Sequence, residues 1–290
     1  HRYLIVNSEC RGSFDVLRDH KDYGRLGGFS FIGRMADGKH LLFGALNVRT
    51  PGVVSEVTSV RMKQRDRTSL DVYKVDMTTG KSEPFQAGTA DTIDWIADVA
   101  GNLRLRVDRD SYDRVRVHAR LGESSTWDQV YDSGAVQDES REIAFFAMSH
   151  QPDIAYVSTR NGEDKVGVYE FNLGAKSLGR LVYKHPKVDV DSVALDSLTD
   201  QVIGASYTLD YASEEYFDRT YAQLQADVRA TFPGENVTIE SATQDRKKFV
   251  ALVEGPQNPT GVYYLVDMTE PSIGKIGARY RLIGAADIGQ

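Results

Sequence analysis

Hydrophobic and polar residues alternate with a period of two through much of this chain, in short runs broken by Gly, Asp and Asn. The clearest run is Leu70-Asp71-Val72-Tyr73-Lys74-Val75-Asp76-Met77-Thr78-Thr79-Gly80, an alternating strand that ends in a Thr-Gly turn. Near-copies follow as Val168-Tyr169-Glu170-Phe171-Asn172-Leu173-Gly174 and Tyr263-Tyr264-Leu265-Val266-Asp267-Met268. Aligned, they read Tyr/Tyr/Tyr, Lys/Glu/Leu, Val/Phe/Val, Asp/Asn/Asp and Met/Leu/Met. The Tyr, the β-branched or aromatic residue and the Met or Leu share one strand face, which is therefore expected to be buried; the Asp or Asn opens the turn. Tyr73, Tyr169 and Tyr264 lie 96 and 95 residues apart. Each step is about two units of roughly 48 residues, and a period of about 40–50 is that of a four-stranded β-propeller blade.

The same pattern divides the whole chain. Tyr3–Val6 and Phe14–Leu17 read as strands around an Arg11-Gly12-Ser13 turn, as if the chain entered mid-blade. Five units follow, at about 28–85, 92–132, 143–183, 191–232 and 237–276, within one propeller domain over 1–290. Their first hairpin turns fall near residues 37, 101, 152, 200 and 246. Asp37-Gly38 and Asn161-Gly162 are strong turn signals. Leu103–Val107 and Val115–Leu121 alternate strictly, giving one dry and one wet face. An insertion over Asn47–Ser69 accounts for the long first step. In the fourth unit a helix at about 213–230 is expected in place of a strand. Phe217, Tyr221, Leu224 and Val228 form its apolar stripe, Ser213 its cap and Phe232-Pro233-Gly234 its stop. Glu214 and Glu215 would then sit at the positive end of its dipole. The fold class is thus all-β, a propeller of four-stranded antiparallel blades with one helical insert.

The 290 residues are 41% hydrophobic and 27% charged, enough for one many-stranded domain or two smaller ones. Net charge is −7, and the cations Arg61, Lys63, Arg65 and Arg67 are too short a run for a nucleic-acid surface; a solvated loop or strand face accounts for them. The single cysteine, Cys10, permits no internal disulfide, which suits a bacterial cytoplasm or periplasm alike. No apolar run reaches the roughly 18 residues of a membrane span. The chain starts at His1, so a removed leader or a cut within a longer protein is expected, and the compartment is not legible from this end.

Little in the chain has the form of catalytic machinery. No Gly-x-Ser-x-Gly elbow is present; the nearest stretch, Gly28-Phe29-Ser30, runs on into Phe31-Ile32 as a strand. There is no phosphate-cradling loop and no His-Glu-x-x-His. The six histidines, at 1, 20, 40, 118, 150 and 185, are scattered singly. Asp189 and Asp191 have the spacing to share a cation, but a polar link into a strand explains them as well. Asn236-Val237-Thr238 matches a glycosylation sequon inside a strand signal. The aromatic residues recur at strand positions and read as core. No catalytic residue, metal ligand set or cofactor is expected.

The ordered set of motifs resembles the N-terminal β-propeller domain of a prolyl oligopeptidase family serine peptidase, of the bacterial acylaminoacyl-peptidase or dipeptidyl-peptidase-like kind. It rests on Leu70–Gly80, on Asp94-Trp95 through Gly101-Asn102-Leu103-Arg104, on Ala155–Leu173, and on Tyr207–Pro233 followed by Ser241–Asp245. The resemblance implies an α/β-hydrolase domain of the same polypeptide, carrying a Ser-Asp-His triad downstream. The propeller would then admit only short peptides to it. It also implies a role for Glu214 and Glu215, since some members bind a substrate's free amino terminus through a pair of adjacent glutamates. Two acids favouring a helix start is the competing account. Beside this stand a free-standing protein-interaction propeller and a metal-dependent lactonase-like propeller. The latter needs convergent carboxylates, for which Asp94 and Asp191 are the available start.

Overall fold

The computed structural model describes residues 4–6, 13–15, 29–49, 67–196, 199 and 201–279. Leu4–Val6 (β1) pairs with Ser13–Asp15 (β2); the rest of the two first expected strands, Cys10, His1, His20 and the basic run up to residue 66 lie outside the described residues. Sheet one follows, with Phe29–Arg34 (β3), His40–Arg49 (β4), Arg67–Asp76 (β5) and Ser82–Gln86 (β6). Sheet two has Thr92–Ala97 (β7), Leu103–Arg109 (β8), Val115–Ala119 (β9) and Asp128–Asp132 (β10). Sheet three has Ala144–Met148 (β11), Ile154–Thr159 (β12), Gly167–Asn172 (β13) and Ser177–Tyr183 (β14). Sheet four has Val190–Leu195 (β15), Val202–Thr208 (β16) and Ala212–Tyr216 (β17), followed by the helix Arg219–Thr231 (α1). Sheet five has Asn236–Ala242 (β18), Lys248–Gly255 (β19), Asn258–Asp267 (β20) and Ser272–Ala278 (β21). Strand order in each sheet follows the sequence. This antiparallel meander is the blade of a β-propeller, and the fold class read from the period is the one observed.

The chain forms two compact units, His1–Gln137 with His150–Ile154 and Asn172–Ser177, and Asp138–Ser149 with Ala155–Phe171 and Leu178–Gln290. In the first, Leu42, Leu70 and Val72 of sheet one pack on Trp95 and Leu103 of sheet two. The Trp95 indole donates to the Leu70 carbonyl at 2.8 Å, so its one polar atom is satisfied in the core. In the second, Tyr156 and Val168 meet Val190 and Ala205. A larger cluster joins Ala194, Ile203 and the inner face of α1 to Val237, Ile239, Ala251 and Val266.

The repeated strand proves to be a hydrogen-bond motif as well as a hydrophobic one. Asp76 Oδ1 accepts from the Thr78 and Thr79 amides at 2.7 and 2.8 Å, Asn172 Oδ1 from Ala175 at 2.8 Å, and Asp267 Oδ1 from Thr269 at 2.9 Å. The next amide then reaches back to the first hairpin: Met77 to Lys39 O, Leu173 to Asp153 O and Met268 to Lys247 O, at 2.8, 2.9 and 2.7 Å. The expected buried face is complete at Tyr169, Phe171 and Leu173. In the fifth sheet it is incomplete, with Tyr264 half-buried and Met268 44% exposed.

Two expectations need correction. The insertion does not begin at Asn47: β4 and β5 continue, pairing Asn47 with Ser69 and Arg49 with Arg67, because an antiparallel ladder extends as long as both strands supply partners. Only residues 50–66 separate them. Nor does the helix begin at Ser213. Residues 212–216 form β17 on β16, in the register Gly204↔Tyr216 to Thr208↔Ala212. A helix starting at 213 would forfeit that ladder. The N-cap is Asp218, whose carboxylate accepts from the Thr220 and Tyr221 amides at 2.9 and 3.1 Å. Phe217 therefore precedes the helix and is 38% exposed, while Tyr221, Leu224, Gln225 and Val228 face inward.

The helix stands where the other sheets have a fourth strand, and its side chains cover the edge of β17. Gln225, 2% exposed, donates Nε2 to the Glu214 carbonyl at 2.7 Å and to the Val237 carbonyl at 2.9 Å. Arg229 adds a bond to the Glu214 carbonyl, and Asn236 Nδ2 donates to the Ala212 carbonyl at 2.9 Å. Among the described residues no helix is long and apolar enough to cross a membrane.

Candidate functional site

Because β17 is a strand, Glu214 and Glu215 point to opposite faces of the sheet. Glu214 faces the side of sheet five. Its carboxylate accepts the Tyr216 hydroxyl, which in turn accepts the Ile239 amide at 2.8 Å. Burial raises the Glu214 carboxyl above its ordinary value, the Tyr216 bond opposing that, and burial likewise raises the Tyr216 phenol. Glu215 lies on the other face, with Ala205 and Tyr207 as neighbours in the register. Its side chain is 42% exposed and accepts from Arg229 Nη1 at 3.2 Å.

An aromatic row adjoins Glu215. Tyr183 and Tyr207 stack with ring centres 6.4 Å apart and planes 23° apart, and His185 lies on Tyr207 at 4.3 Å and 21°. The His185 Nδ1 accepts the Lys187 and Val188 amides, both at 3.2 Å, which fixes the ring and leaves the other nitrogen to carry the proton. The Tyr183 phenol is pushed up to about 12, chiefly by burial, then by Tyr207 and the Glu215 charge; Tyr207 is raised by burial and by Glu215. Both tyrosines therefore remain protonated donors at neutral pH. The cluster presents one accessible carboxylate, one guanidinium and ring faces. That is equipment for binding a charged or polar group, and none of these side chains is an activated nucleophile.

Sequence reasoning named Glu214 and Glu215 but missed Tyr183, His185, Tyr207 and Arg229. They come from β14, the following link, β16 and α1, so no local spacing joins them. The other residues singled out are occupied individually. Asp189 takes the Val166 amide at 2.9 Å and Arg160 at 3.1 Å, while Asp191 takes the Thr208 hydroxyl at 2.8 Å. Asp94 accepts the Trp95 amide, and burial raises its carboxyl. Asp94 nonetheless keeps solvent access, in a crowded but open position. His40 is held by Asp37 at 2.6 Å, and His118 lies 3.3 Å from Asp108. The Asn236 amide is spent on Ala212. Among the described residues, no group of three or more His, Cys, Asp or Glu side chains could hold a metal ion.

No family model matches the chain. Among curated proteins it is 24% identical to dipeptidyl aminopeptidase BIII of Pseudoxanthomonas mexicana over 228 residues, 78% of this chain and 32% of that protein. The chain resembles the propeller part of a prolyl oligopeptidase family peptidase. It spans about a third of the length of the curated relative it matches. Solved structures with a looser likeness include prolyl oligopeptidase B of Galerina marginata without ligand, at 12% identity over 86% of this chain and 33% of that one, TM-score 0.46. Another is the putative TolB of Agrobacterium tumefaciens, at 10% identity over 86% of this chain and 80% of that one, TM-score 0.43.

Proposed function

We propose that residues 1–290 serve as the non-catalytic, substrate-gating propeller domain of a serine-type peptidase that hydrolyses short peptides. The Ser-Asp-His triad would be carried by an α/β-hydrolase domain of the same polypeptide. The observation that carries this reading is the alignment with a dipeptidyl aminopeptidase, which takes up most of this chain but only 32% of the relative. The blades suit the role physically. Hydrogen-bonded sheets packed face to face are rigid walls, and exclusion by size requires walls that do not yield.

Within this reading Glu215 is the better placed of the glutamate pair for a peptide's amino terminus. Its carboxylate is 42% exposed beside Tyr183 and Tyr207, with an Arg229 bond that an ammonium group would have to share, whereas Glu214 is buried on Tyr216. An ammonium group docked there would gain charge-assisted bonds and ring faces. The test is direct. The 290-residue chain should cleave no aminoacyl or peptidyl reporter, and the polypeptide extended past Gln290 should cleave one and be stopped by a serine-reactive phosphonate. An extended protein that folds and stays inactive overturns the proposal.

A further inference from the structure

Sheet two carries a row of cations on the face that meets sheet one. Arg106 of β8 lies opposite Trp95 of β7 and His118 of β9 in the register, and it is the Trp95 indole that reaches the Leu70 carbonyl of sheet one. Arg120 follows β9, two residues beyond His118. Its guanidinium sits over the Trp127 ring at 4.2 Å, with that of Arg106 at 5.7 Å. Trp95 braces Trp127 in turn, ring centres 5.5 Å apart and planes at 61°. The other arginines of these two strands have carboxylates: Arg104 has Asp98 at 3.2 Å, Arg106 has Asp108 at 2.9 Å and Arg116 has Asp110 at 2.8 Å. Among the described residues Arg120 has none. Its guanidinium makes one hydrogen bond, from Nη2 to Oε1 of Gln86 on β6 at 2.9 Å, while its Nε is buried without a partner.

Arg106 shows what such a guanidinium edge takes. Its Nε donates to the two Asp108 oxygens at 3.1 and 3.0 Å and its Nη2 to one of them at 2.9 Å, so a single planar carboxylate fills the Nε–Nη2 edge. Asp108 stands two residues after Arg106; two residues after Arg120 stands Gly122, with no side chain to offer. Gln86 supplies one neutral oxygen, enough for Nη2 and not for Nε. Burial, and then the Arg106 charge, lower Arg120 below the ordinary arginine value, so the fold holds this cation at a cost that an anion would relieve. Asp108 already neutralises Arg106, and burial lowers His118, whose Nδ1 is likewise buried without a hydrogen bond. One positive charge is left over. Gln86 and Arg120 are both only partly buried, so solvent reaches the pair.

We infer that Arg120 is a binding site for a small monocarboxylate, which displaces the Gln86 oxygen and bonds Nε and Nη2 together as Asp108 does on Arg106. Trp127 holds the guanidinium face, so the ligand enters edge-on, in the plane of the group. Acetate is the probe. In the 290-residue chain the Arg120 Nε–H resonance, assigned by its loss in Arg120→Lys, should move saturably as sodium acetate replaces sodium chloride at constant ionic strength. Gln86→Glu places a carboxylate at that edge from within the chain. Its resonance should start at the acetate-bound position, and its response to acetate should weaken roughly tenfold or more. Gln86→Ala removes the competing oxygen and should tighten acetate binding about threefold, the worth of one neutral hydrogen bond. A resonance that stays still, drifts without saturating, or moves equally with chloride overturns the inference. Tighter binding of inorganic phosphate than of acetate overturns the carboxylate assignment. An undiminished acetate response in Gln86→Glu shows that the ligand does not use this edge and overturns it as well. Peptide cleavage is not a readout, so the result stands apart from the proposed function.

Discussion

Sheets four and five meet the same problem, an open edge after the third strand, and close it differently. In sheet five, β21 pairs with β20 from Val262↔Ala278 to Asp267↔Ser272, and backbone bonds spread the closure over the whole ladder. In sheet four a helix lies at the edge, and side chains do the work: Gln225 and Arg229 at the Glu214 carbonyl, Asn236 at the Ala212 carbonyl. Backbone closure is nearly indifferent to side-chain identity. Side-chain closure puts the same task on a few named residues, so substitutions should be felt very unequally in the two sheets.

The sharpest test is Gln225→Leu, which keeps the volume and strips the donor shared by two carbonyls. A loss of about 2–4 kcal/mol in denaturant unfolding is expected, from leaving buried acceptors unmet. Lys275→Leu on β21 should stay within about 0.5 kcal/mol, as exposed substitutions usually do. Equal effects would erase the distinction.

Next in size is Tyr221→Phe. The Tyr221 hydroxyl bonds Asp196 at 2.7 Å, a carboxylate 2% exposed that also takes Arg246, so the helix is tied to the hairpin turns of sheets four and five. Its removal should cost about 1–3 kcal/mol. Asp218→Ala deletes the helix cap and should cost about 1 kcal/mol. Asp218→Asn should recover most of that loss if capping is the reason for it.

The smallest effect is one of pH, and its sign differs between the sheets. Asp267 is held down to about 2 by Lys248 and then by the Thr269 amide. Its contribution is therefore present above the ordinary carboxylate range and is lost as pH falls through about 2. Glu214 is raised above 4.5 by burial, so the folded state holds its proton longer than the unfolded one and stability falls as pH rises through the folded value. Glu214→Gln should raise the melting temperature at pH 7 and leave it unchanged at pH 4. Lys248→Met should bring the Asp267 titration, followed by carboxyl NMR, back toward the ordinary range. If Glu214→Gln destabilises at pH 7, burial is not what governs that carboxyl.

The blades were legible because period-two alternation and Asp-Gly or Asn-Gly turns are local signals, and three near-identical strands set their period. The helix existed where Tyr221, Leu224 and Val228 said it would, but its start was misread. Ser213 followed by two acids has the composition of a cap, and only the free edge of β16 makes that stretch a strand. The candidate site remains a proposal, and its aromatic part was not legible in the sequence. Glu214 and Glu215 were named together as an adjacent pair, and the rings beside Glu215 come from segments with no shared spacing.

Chain order and the period-two pattern by themselves determined the all-β class, the strand-by-strand meander and the Asp or Asn that opens each repeated turn, because these depend on contacts a few residues apart. Tertiary structure alone decided that Glu214 and Glu215 part to opposite faces, that Gln225 serves two sheets at once, and that Gln86 of one sheet meets Arg120 of the next. Each depends on which edge or face a distant strand presents, and no window along the chain contains that information.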